Sequence, residues 1–388
     1  MSRQLKAVHN FLPDQYHATN QAPINHNYLK EQFADYPEIF KRLERLILDG
    51  DFTLGKAVDQ FEATVANLCG TKYAIGVGSG TDALFLSLKA LGVGAGDEVI
   101  TTPYTFFATI GAIVTAGAKP VFVDVGPDYN IDADRIEAAV TARTKAILPV
   151  HWAGLVCDMD KIQAVARKHG LKIVEDACHA IQATYRGRAS GSLGDAGCFS
   201  MHPLKNLNVW GDGGFITTNS QELHDRLVLL RNHGLIDRDH CAVFAYNSRL
   251  DTLQAIVANY LLEKKLANIT RRRIENAATY DRLLAGVDEI QIPRRPSDIK
   301  QVYHLYVVRA QRREELKAHL NAQGIDAKVH YPIPMHLQPA AKEYGHKRGD
   351  FPVTEKTCDE VISLPVHEHV TAEQCEAVAK SIKEFYNK

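Results

Sequence analysis

The sequence predicts an α/β protein built on a largely parallel sheet, followed by a second, smaller α+β domain. From residue 73 to about residue 240, short β-branched runs alternate with segments of helical pattern. Such alternation is typical of a parallel sheet with helices on both faces. After residue 240 the alternation stops. The length of 388 residues also exceeds what one simple core accommodates, so two domains or one large domain with an appendage are expected.

In the first part of the chain, strands and helices are predicted in strict succession. Short apolar runs predict strands at 73–77, 98–102, 120–125, 145–150 and 171–175. Helical patterns lie between them, at 81–91, 106–117, 133–142 and 158–170. Right-handed crossovers place the loops that follow these strands along one edge of the sheet, which is where open α/β sheets bind ligands.

The second part of the chain has a different pattern. Residues 250–286 read as long helical sequence without a strand signal. A strand at 302–310, a helix at 312–324 and an extended piece at 327–332 follow, and an amphipathic helix ends the chain. We therefore expect an N-terminal arm at 1–25, a large domain at 26–249 and a small C-terminal domain at 250–388.

Composition excludes several classes of function. The net charge is −1, so the chain lacks the basic excess of a surface that binds nucleic acid or membranes. The seven cysteines form no CxxC motif and no even framework, which favours a reducing cytoplasm over a disulfide scaffold. The N-terminal sequence lacks a signal-peptide core, and the longest weakly polar run, 105–118, is too short to span a bilayer. A soluble cytoplasmic protein is expected.

Lys205 and Asp176 are the residues that indicate chemistry. Lys205 lies in SMHPLKN, just before the glycine-rich GDGGFITT, and Asp176 follows an apolar strand in KIVEDACHA. Each alone has an ordinary alternative, a surface lysine or a helix-capping aspartate. Together they are what a pyridoxal 5′-phosphate (PLP) enzyme needs: a lysine that forms a Schiff base with the cofactor aldehyde, and a carboxylate that keeps the pyridine nitrogen protonated.

Two further features fit such a cofactor. VGSGTDAL runs from a strand into a helix, so Gly80 and Thr81 would offer a helix N-terminus to a phosphate, and Ser200 could add a hydroxyl. Taken alone, this string is more often a plain tight turn. Phe106 follows another strand end, where stacking on the cofactor ring and core packing are equal alternatives.

The spacing of the histidines and cysteines argues against a metal site. Histidines and cysteines are frequent between residues 151 and 202. Their spacings match no structural zinc pattern, and no HExxH motif occurs. We expect no metal.

Over nearly its whole length, the chain resembles the fold-type I PLP enzymes of the DegT/DnrJ/EryC1/StrS group, the sugar aminotransferases. The strings that carry the resemblance are FTLGKAVDQFEATVANLCG (52–70), GSGTDALFLSLKALGVGAGDEVITTPYTFFAT (78–109), PVHWAGLVCDM (149–159), VEDACHA (174–180), GCFSMHPLKN (197–206), GDGGFITT (211–218), NSRLDTLQA (247–255) and VHYPIPMHLQP (329–339). The resemblance implies a large domain with a mostly parallel, seven-stranded type of sheet.

The resemblance also implies a role for each matching residue. Lys205 holds the cofactor and then moves a proton, and Asp176 pairs with the pyridinium nitrogen. His179 lies near the cofactor's 3′-oxygen. Gly80, Thr81 and Ser200 hold the cofactor phosphate, and Phe106 stacks on the cofactor ring. Asn247 contacts the phosphate of the cofactor in the neighbouring subunit. That last role implies a homodimer with shared active sites.

The implied activity is transfer of an amino group from an amino acid, glutamate in the family, to a keto-sugar that is linked to a nucleotide. His330 and Tyr331 are candidates for contacts with the sugar or its nucleotide, with packing at a domain interface as the equal alternative. A branch of the family that carries histidine in place of the lysine performs dehydration. Because position 205 is lysine, amino transfer is favoured over a keto-sugar dehydratase and over a non-catalytic regulator.

Overall fold

The structure is a computed structural model that describes residues 22–26 and 28–387, so most of the expected arm at 1–25 lies outside the described residues. The helices are α1 Leu29–Gln32, α2 Tyr36–Asp49, α3 Lys56–Cys69, α4 Gly80–Ala90, α5 Phe107–Thr115, α6 Met159–His169, α7 Gln221–Arg231, α8 Thr252–Lys264, α9 Leu266–Leu284, α10 Arg313–Ala322, α11 Pro352–Glu360 and α12 Ala372–Phe385. The strands are β1 Tyr73–Val77, β2 Glu98–Thr101, β3 Lys119–Phe122, β4 Thr144–Ile147, β5 Lys172–Asp176, β6 Thr184–Tyr185, β7 Arg188–Ala189, β8 Ala196–Ser200, β9 Gly214–Thr218, β10 Ile290–Gln291, β11 Ile299–Lys300, β12 Tyr306–Ala310 and β13 Val361–Leu364.

A seven-stranded sheet organises the larger part of the chain. Its strand order is β1-β9-β8-β5-β4-β2-β3. The pairs from β8 through β3 are parallel, and only β9 runs antiparallel, to both β8 and β1. The predicted α/β architecture with a mostly parallel sheet is therefore confirmed. The carboxyl ends of β1, β2, β5 and β8 meet at one edge, since these strands point the same way.

One predicted helix is wrong. The segment 133–142 forms two short 3₁₀ turns, Ala133–Arg135 and Glu137–Ala139, rather than an α-helix. Only Ile136 is buried at the centre of the segment, while its neighbours are exposed or half-buried. A single anchoring side chain does not provide the apolar stripe that holds a surface helix against a core.

The buried apolar residues of the described part lie mainly in two regions. The first core lies on the large sheet, with one cluster on each face: one includes Phe61, Phe199 and Phe215, and the other includes Ile75, Leu84 and Leu86. The second surrounds the three-stranded sheet β10-β12-β13 and draws its residues from α9, α10 and α12. Helix α8 contributes buried side chains to the first core, so the expected division at residue 250 does not coincide with a change of core.

Two further observations concern the described part of the chain. No helix there combines the length and the apolar composition that a bilayer crossing demands. Nor does that part bring together three or more His, Cys, Asp or Glu side chains in an arrangement that could hold a metal ion.

Candidate active site

A cavity of about 740 Å³ opens between the carboxyl edge of the large sheet and the second core. Its wall includes every residue that the sequence singled out for cofactor or substrate, except Asn247. These residues are Gly80, Thr81, Phe106, Asp176, His179, Ser200, Lys205, His330 and Tyr331. The strand ends explain the convergence: Asp176 ends β5, Ser200 ends β8, and Gly80 begins the helix that follows β1.

Asp176 is buried and held in one orientation. Its Oδ2 accepts a hydrogen bond from Thr109 Oγ1 at 2.8 Å, and its Oδ1 accepts one from the Cys178 backbone N–H at 3.2 Å. Thr109 in turn lies 2.7 Å from Thr105 Oγ1. Because Thr109 commits its only proton to the carboxylate, Thr105 is the donor in that second contact. The carboxylate keeps lone pairs for one more donor, as a protonated ring nitrogen would be.

Lys205 is half-buried in the same cavity. Burial lowers the pKa of its ammonium, although the nearby Cys178 and Asp176 oppose this effect. A lowered pKa increases the share of neutral amine, which is the form that attacks a carbonyl and accepts a proton. The loop that carries it is fixed next to the lysine, where Asn206 Nδ2 donates to the Val302 carbonyl at 3.2 Å.

The N-terminus of α4 forms a cradle in the cavity wall. Ser79 caps the helix, with its Oγ accepting from the Asp82 N–H at 3.1 Å. A Cβ on Gly80 would lie 2.5 Å from Ser200 Cβ, and a Cβ on Gly214 would lie 2.4 Å from the Ser79 carbonyl. Only glycine fits at both positions, so the backbone of the cradle can approach β8 and β9 closely. A helix N-terminus that lines a cavity suits a phosphate.

Phe106 and Tyr331 are aromatic residues of the cavity wall. Phe106 is 50% exposed, which argues against the core-packing alternative for this ring. Its centroid lies 5.9 Å from that of Tyr331, and Tyr331 packs 4.9 Å from Trp152. Tyr331 has a φ of 59°, a left-handed conformation that costs energy for a bulky residue and turns this loop into the cavity.

Histidines also line the cavity. His330 Nδ1 lies 2.7 Å from Ser363 Oγ, and burial lowers the pKa of His330 to about 3. Burial also lowers the pKa of His179 well below its ordinary value, with Lys205 adding to the effect. Both imidazoles are therefore neutral near pH 7, and the buried Nδ1 of His179 has no hydrogen-bond partner among the described residues.

Asn247 lies outside this cavity. It is exposed and lines a separate groove of about 260 Å³ together with Phe52, Gly78 and Asp82. Its Oδ1 accepts a hydrogen bond from Arg249 Nε at 2.9 Å. Within one chain, Asn247 thus contributes nothing to the cavity of Lys205.

Several cavity residues escaped the sequence analysis. Thr109 lies one helical turn beyond Phe106 in YTFFAT. The signal in the sequence that could have indicated it is its position shortly after the strand predicted at 98–102. His304, Arg273 and Lys328 come from the second part of the chain. No motif marks them, because only the packing of the two cores brings them to the cavity.

Comparison with known proteins gives consistent results over most of the chain. The model of the DegT/DnrJ/EryC1/StrS aminotransferase family matches residues 34–383. A protein of Geobacillus stearothermophilus named "Pleiotropic regulatory protein" is 45% identical over 362 residues, covering 92% of this chain and 97% of that protein. The UDP-N-acetyl-3-dehydro-alpha-D-glucosamine 3-aminotransferase of Acidithiobacillus ferrooxidans is 42% identical over 359 residues, covering 92% and 96%.

A solved structure shows the same fold. The crystal structure of Streptomyces venezuelae DesV in complex with a ketimine intermediate superposes with a TM-score of 0.90 at 39% identity. The match covers 94% of this chain and 98% of that one. Structures of other relatives contain PLP or its aminated form, pyridoxamine phosphate (PMP).

Proposed function

Because the chain belongs to the DegT/DnrJ/EryC1/StrS aminotransferase family, we propose that it moves an amino group from glutamate to a nucleotide-linked keto-sugar with PLP as its cofactor. The observation that carries the proposal is the meeting of Lys205 and Asp176 in one cavity. Relatives supply the acceptor class, since one is named for a UDP-linked 3-dehydro sugar and another for a dTDP-linked amino sugar.

The cavity fits PLP in three respects. Gly80 lets the N-terminus of α4 lie close against Ser200 in the cavity wall. The Asp176 carboxylate has lone pairs for a further donor, and His179 Nδ1 is a buried polar atom without a partner among the described residues. In this proposal Gly80, Thr81 and Ser200 hold the phosphate, Phe106 covers the ring, and Asp176 and His179 contact its polar edge. When bound, PLP supplies an aldehyde that carries the amino group and a ring that accepts electrons.

Lys205 is the proposed proton carrier. It holds the cofactor between turnovers and is released as a free amine when the amino donor arrives. With its lowered pKa it can then take a proton from one carbon and return it to another. Asp176 remains oriented by Thr109 throughout. His330 and Tyr331, in the wall of the cavity, are the proposed contacts for the sugar and its nucleotide.

Half-reactions separate this proposal from its rivals. Adding L-glutamate to the PLP-loaded protein should produce one equivalent of 2-oxoglutarate and convert the absorbance of bound PLP to that of PMP. A UDP- or dTDP-linked 3-keto or 4-keto sugar should then restore the first spectrum and yield the amino sugar.

The Lys205→Ala variant should bind cofactor but fail in both halves. A keto-sugar that loses water without gaining nitrogen would indicate a dehydratase. A protein that binds PLP yet produces no 2-oxoglutarate would contradict the proposed donor. If no keto-sugar nucleotide restores the PLP absorbance in the second half-reaction, the proposed acceptor is wrong.

We also propose a homodimer in which each active site takes Asn247 from the partner. Several large apolar side chains are exposed near this residue: Phe52, Ile236, Val243, Phe244 and Tyr246. Phe244 is 98% exposed, which is unusual for phenylalanine on a surface that faces water. A second copy of the chain would bury this patch and carry Asn247 to a neighbouring cavity.

Complementation tests the shared site. When Lys205→Ala and Asn247→Ala chains are co-expressed, a mixed dimer contains one site with both residues intact. Random pairing should then restore about one quarter of the wild-type activity from two weakly active parents. Activity that never exceeds that of the parents would show that Asn247 acts within its own chain, and a monomer in analytical ultracentrifugation would exclude the dimer.

The division into domains and the cellular location remain part of the proposal. The presence of separate cores supports a large PLP-binding domain and a small one. The proposed bounds are 1–25 for the arm, 26–249 for the large domain and 250–388 for the small domain, with α8 packed on the core of the large domain. The scattered, unpaired cysteines support a cytoplasmic location.

A further inference from the structure

Three sets of hydrogen bonds hold the loop 302–305 at the cavity. Val302 N–H donates to the Gly154 carbonyl at 3.1 Å, and the Val302 carbonyl accepts from Asn206 Nδ2 at 3.2 Å. The buried Arg273 donates to the carbonyls of Tyr303 and His304, at 3.2 and 3.1 Å. Tyr303 has a φ of 48°, a left-handed conformation that this residue type avoids unless its surroundings impose it. The loop is thus held in one shape at an energetic cost.

This shape presents His304 to His179. The two ring centroids are 4.3 Å apart and the rings are inclined by 34°. His304 Nδ1 lies 3.3 Å from Asn206 Oδ1. Because the amide nitrogen of Asn206 is committed to the Val302 carbonyl, its oxygen faces His304, and we assign the His304 proton to Nδ1. Burial and the neighbouring His179 lower the pKa of His304 well below its ordinary value, so the ring is neutral.

His179 itself has little to fix its orientation. Its Nδ1 has no hydrogen-bond partner among the described residues. Its ring is packed between His304 and Trp152, whose centroid is 5.5 Å away. When no hydrogen bond orients an imidazole, the packing of neighbouring rings determines its orientation. In metal sites and catalytic sites, the partner behind a histidine sets how the histidine meets its ligand.

We propose that His304 is a positioning residue for His179. Asn206 fixes the His304 ring through Nδ1, and the His304 ring fixes that of His179 against the cofactor. Asn206 directly follows Lys205, so the same amide links the lysine loop to the loop 302–305. The inference rests on the PLP part of the proposed function and is independent of which sugar accepts the amino group.

The test measures two quantities. One is the midpoint of a pH titration followed by the absorbance of bound PLP, and the other is the dissociation constant of PLP. His304→Ala should shift the midpoint in the same direction as His179→Asn, by about half a pH unit or more, which corresponds to a threefold change in proton affinity. PLP should bind about three- to tenfold more weakly. In the double variant His304→Ala/His179→Asn, the midpoint should equal that of His179→Asn alone, since the first change acts through the second residue.

Two further variants keep the test decisive. His304→Phe retains the ring and the volume but loses the Nδ1 proton, so it should fold and shift the midpoint less than His304→Ala. His319→Asn removes another half-buried histidine, bonded to Ser381 in the second core, and should leave the midpoint unchanged.

The proposal is overturned if His304→Phe and His304→Ala keep the wild-type midpoint, or if the shifts add in the double variant. If the alanine variant does not fold, the phenylalanine variant decides alone by the same criterion. These readouts need no sugar, so a failure of keto-sugar amination leaves them interpretable.

Discussion

Thr109 donates the hydrogen bond that orients one carboxylate oxygen of Asp176. Thr109→Val keeps the shape of the side chain and removes this donor, and it also removes the acceptor of Thr105. A hydrogen bond to a charged group contributes about 1.5–3 kcal/mol. We therefore expect PLP to bind roughly ten- to a hundredfold more weakly, with kcat reduced as well.

Equilibrium titration of the apoprotein with PLP measures this effect. Thr279→Val is the matched control, because that hydroxyl donates to the Glu275 carbonyl on the solvent side of α9, outside the cavity. Its PLP affinity should equal that of the wild type. If Thr109→Val binds PLP within twofold of the wild type, the carboxylate does not depend on the hydroxyl.

The start of α4 depends on the absence of a side chain at Gly80. A methyl group there would lie 2.5 Å from Ser200 Cβ, so either the helix or β8 must shift. Overpacking of this kind costs about 1–3 kcal/mol. Gly80→Ala should lower the free energy of unfolding by that amount. It should also weaken PLP binding to the folded protein, because the proposed phosphate site at the start of α4 would be displaced.

Gly94→Ala serves as the comparison for this variant. Nothing lies within 4 Å of a Cβ at that position, and its φ lies outside the left-handed range. Urea unfolding of the two apoproteins, followed by PLP titration, separates stability from binding. Equal behaviour of the two variants would show that the cradle tolerates a methyl group.

The elements that were predictable are those with a local apolar signal. The strand expected at 73–77 is found at Tyr73–Val77, and the one expected at 171–175 begins and ends within one residue of its predicted place. By contrast, no strand was predicted at β8, whose sequence AGCFS has no β-branched residue, or at β9, which begins inside the glycine-rich string GDGGFITT. Their pairing with each other and with distant strands creates them, since β-propensity depends on sheet context.

The same distinction applies to the site. Lys205, Asp176 and Gly80 stand in recognisable strings, and the cavity contains all three. Thr109 and His304 were missed because their contacts join residues 67 and 98 positions apart in the sequence. A pattern in one sequence cannot report which loops meet across two cores.

The cavity is closed by segments from both ends of the described chain. Ile24 pairs with Ile325, and Tyr28 receives a hydrogen bond from Arg273 at 2.7 Å. Nε2 of His367 donates to the Asn25 carbonyl at 2.8 Å, while its Nδ1 accepts from the His369 N–H. Since both ring nitrogens of His367 are engaged in the neutral form, protonation would break one of these bonds. The closure of the cavity is therefore coupled to pH.

Stability should fall on mild acidification because neutral histidines hold this closure. Burial is the main cause that lowers the pKa of His26 to about 4 and those of His330 and His367 to about 3, against 6.5 when unfolded. Between pH 6.5 and 4 the unfolded chain binds more protons than the folded one, so stability decreases as the pH falls, by at most about 1.4 kcal/mol per pH unit for each histidine.

Calorimetry of the protein from pH 7.5 to 4.5 should show this decline begin near pH 6.5. Carboxylates with lowered pKa values begin to lower stability only near pH 5, so they do not account for a decline that starts near pH 6.5. His367→Gln, which keeps a donor for Asn25, should flatten the slope, whereas the exposed His240→Gln should not. A melting temperature that is constant from pH 7 to 5 would contradict the idea that these imidazoles must stay neutral for the N-terminal segment to close the cavity.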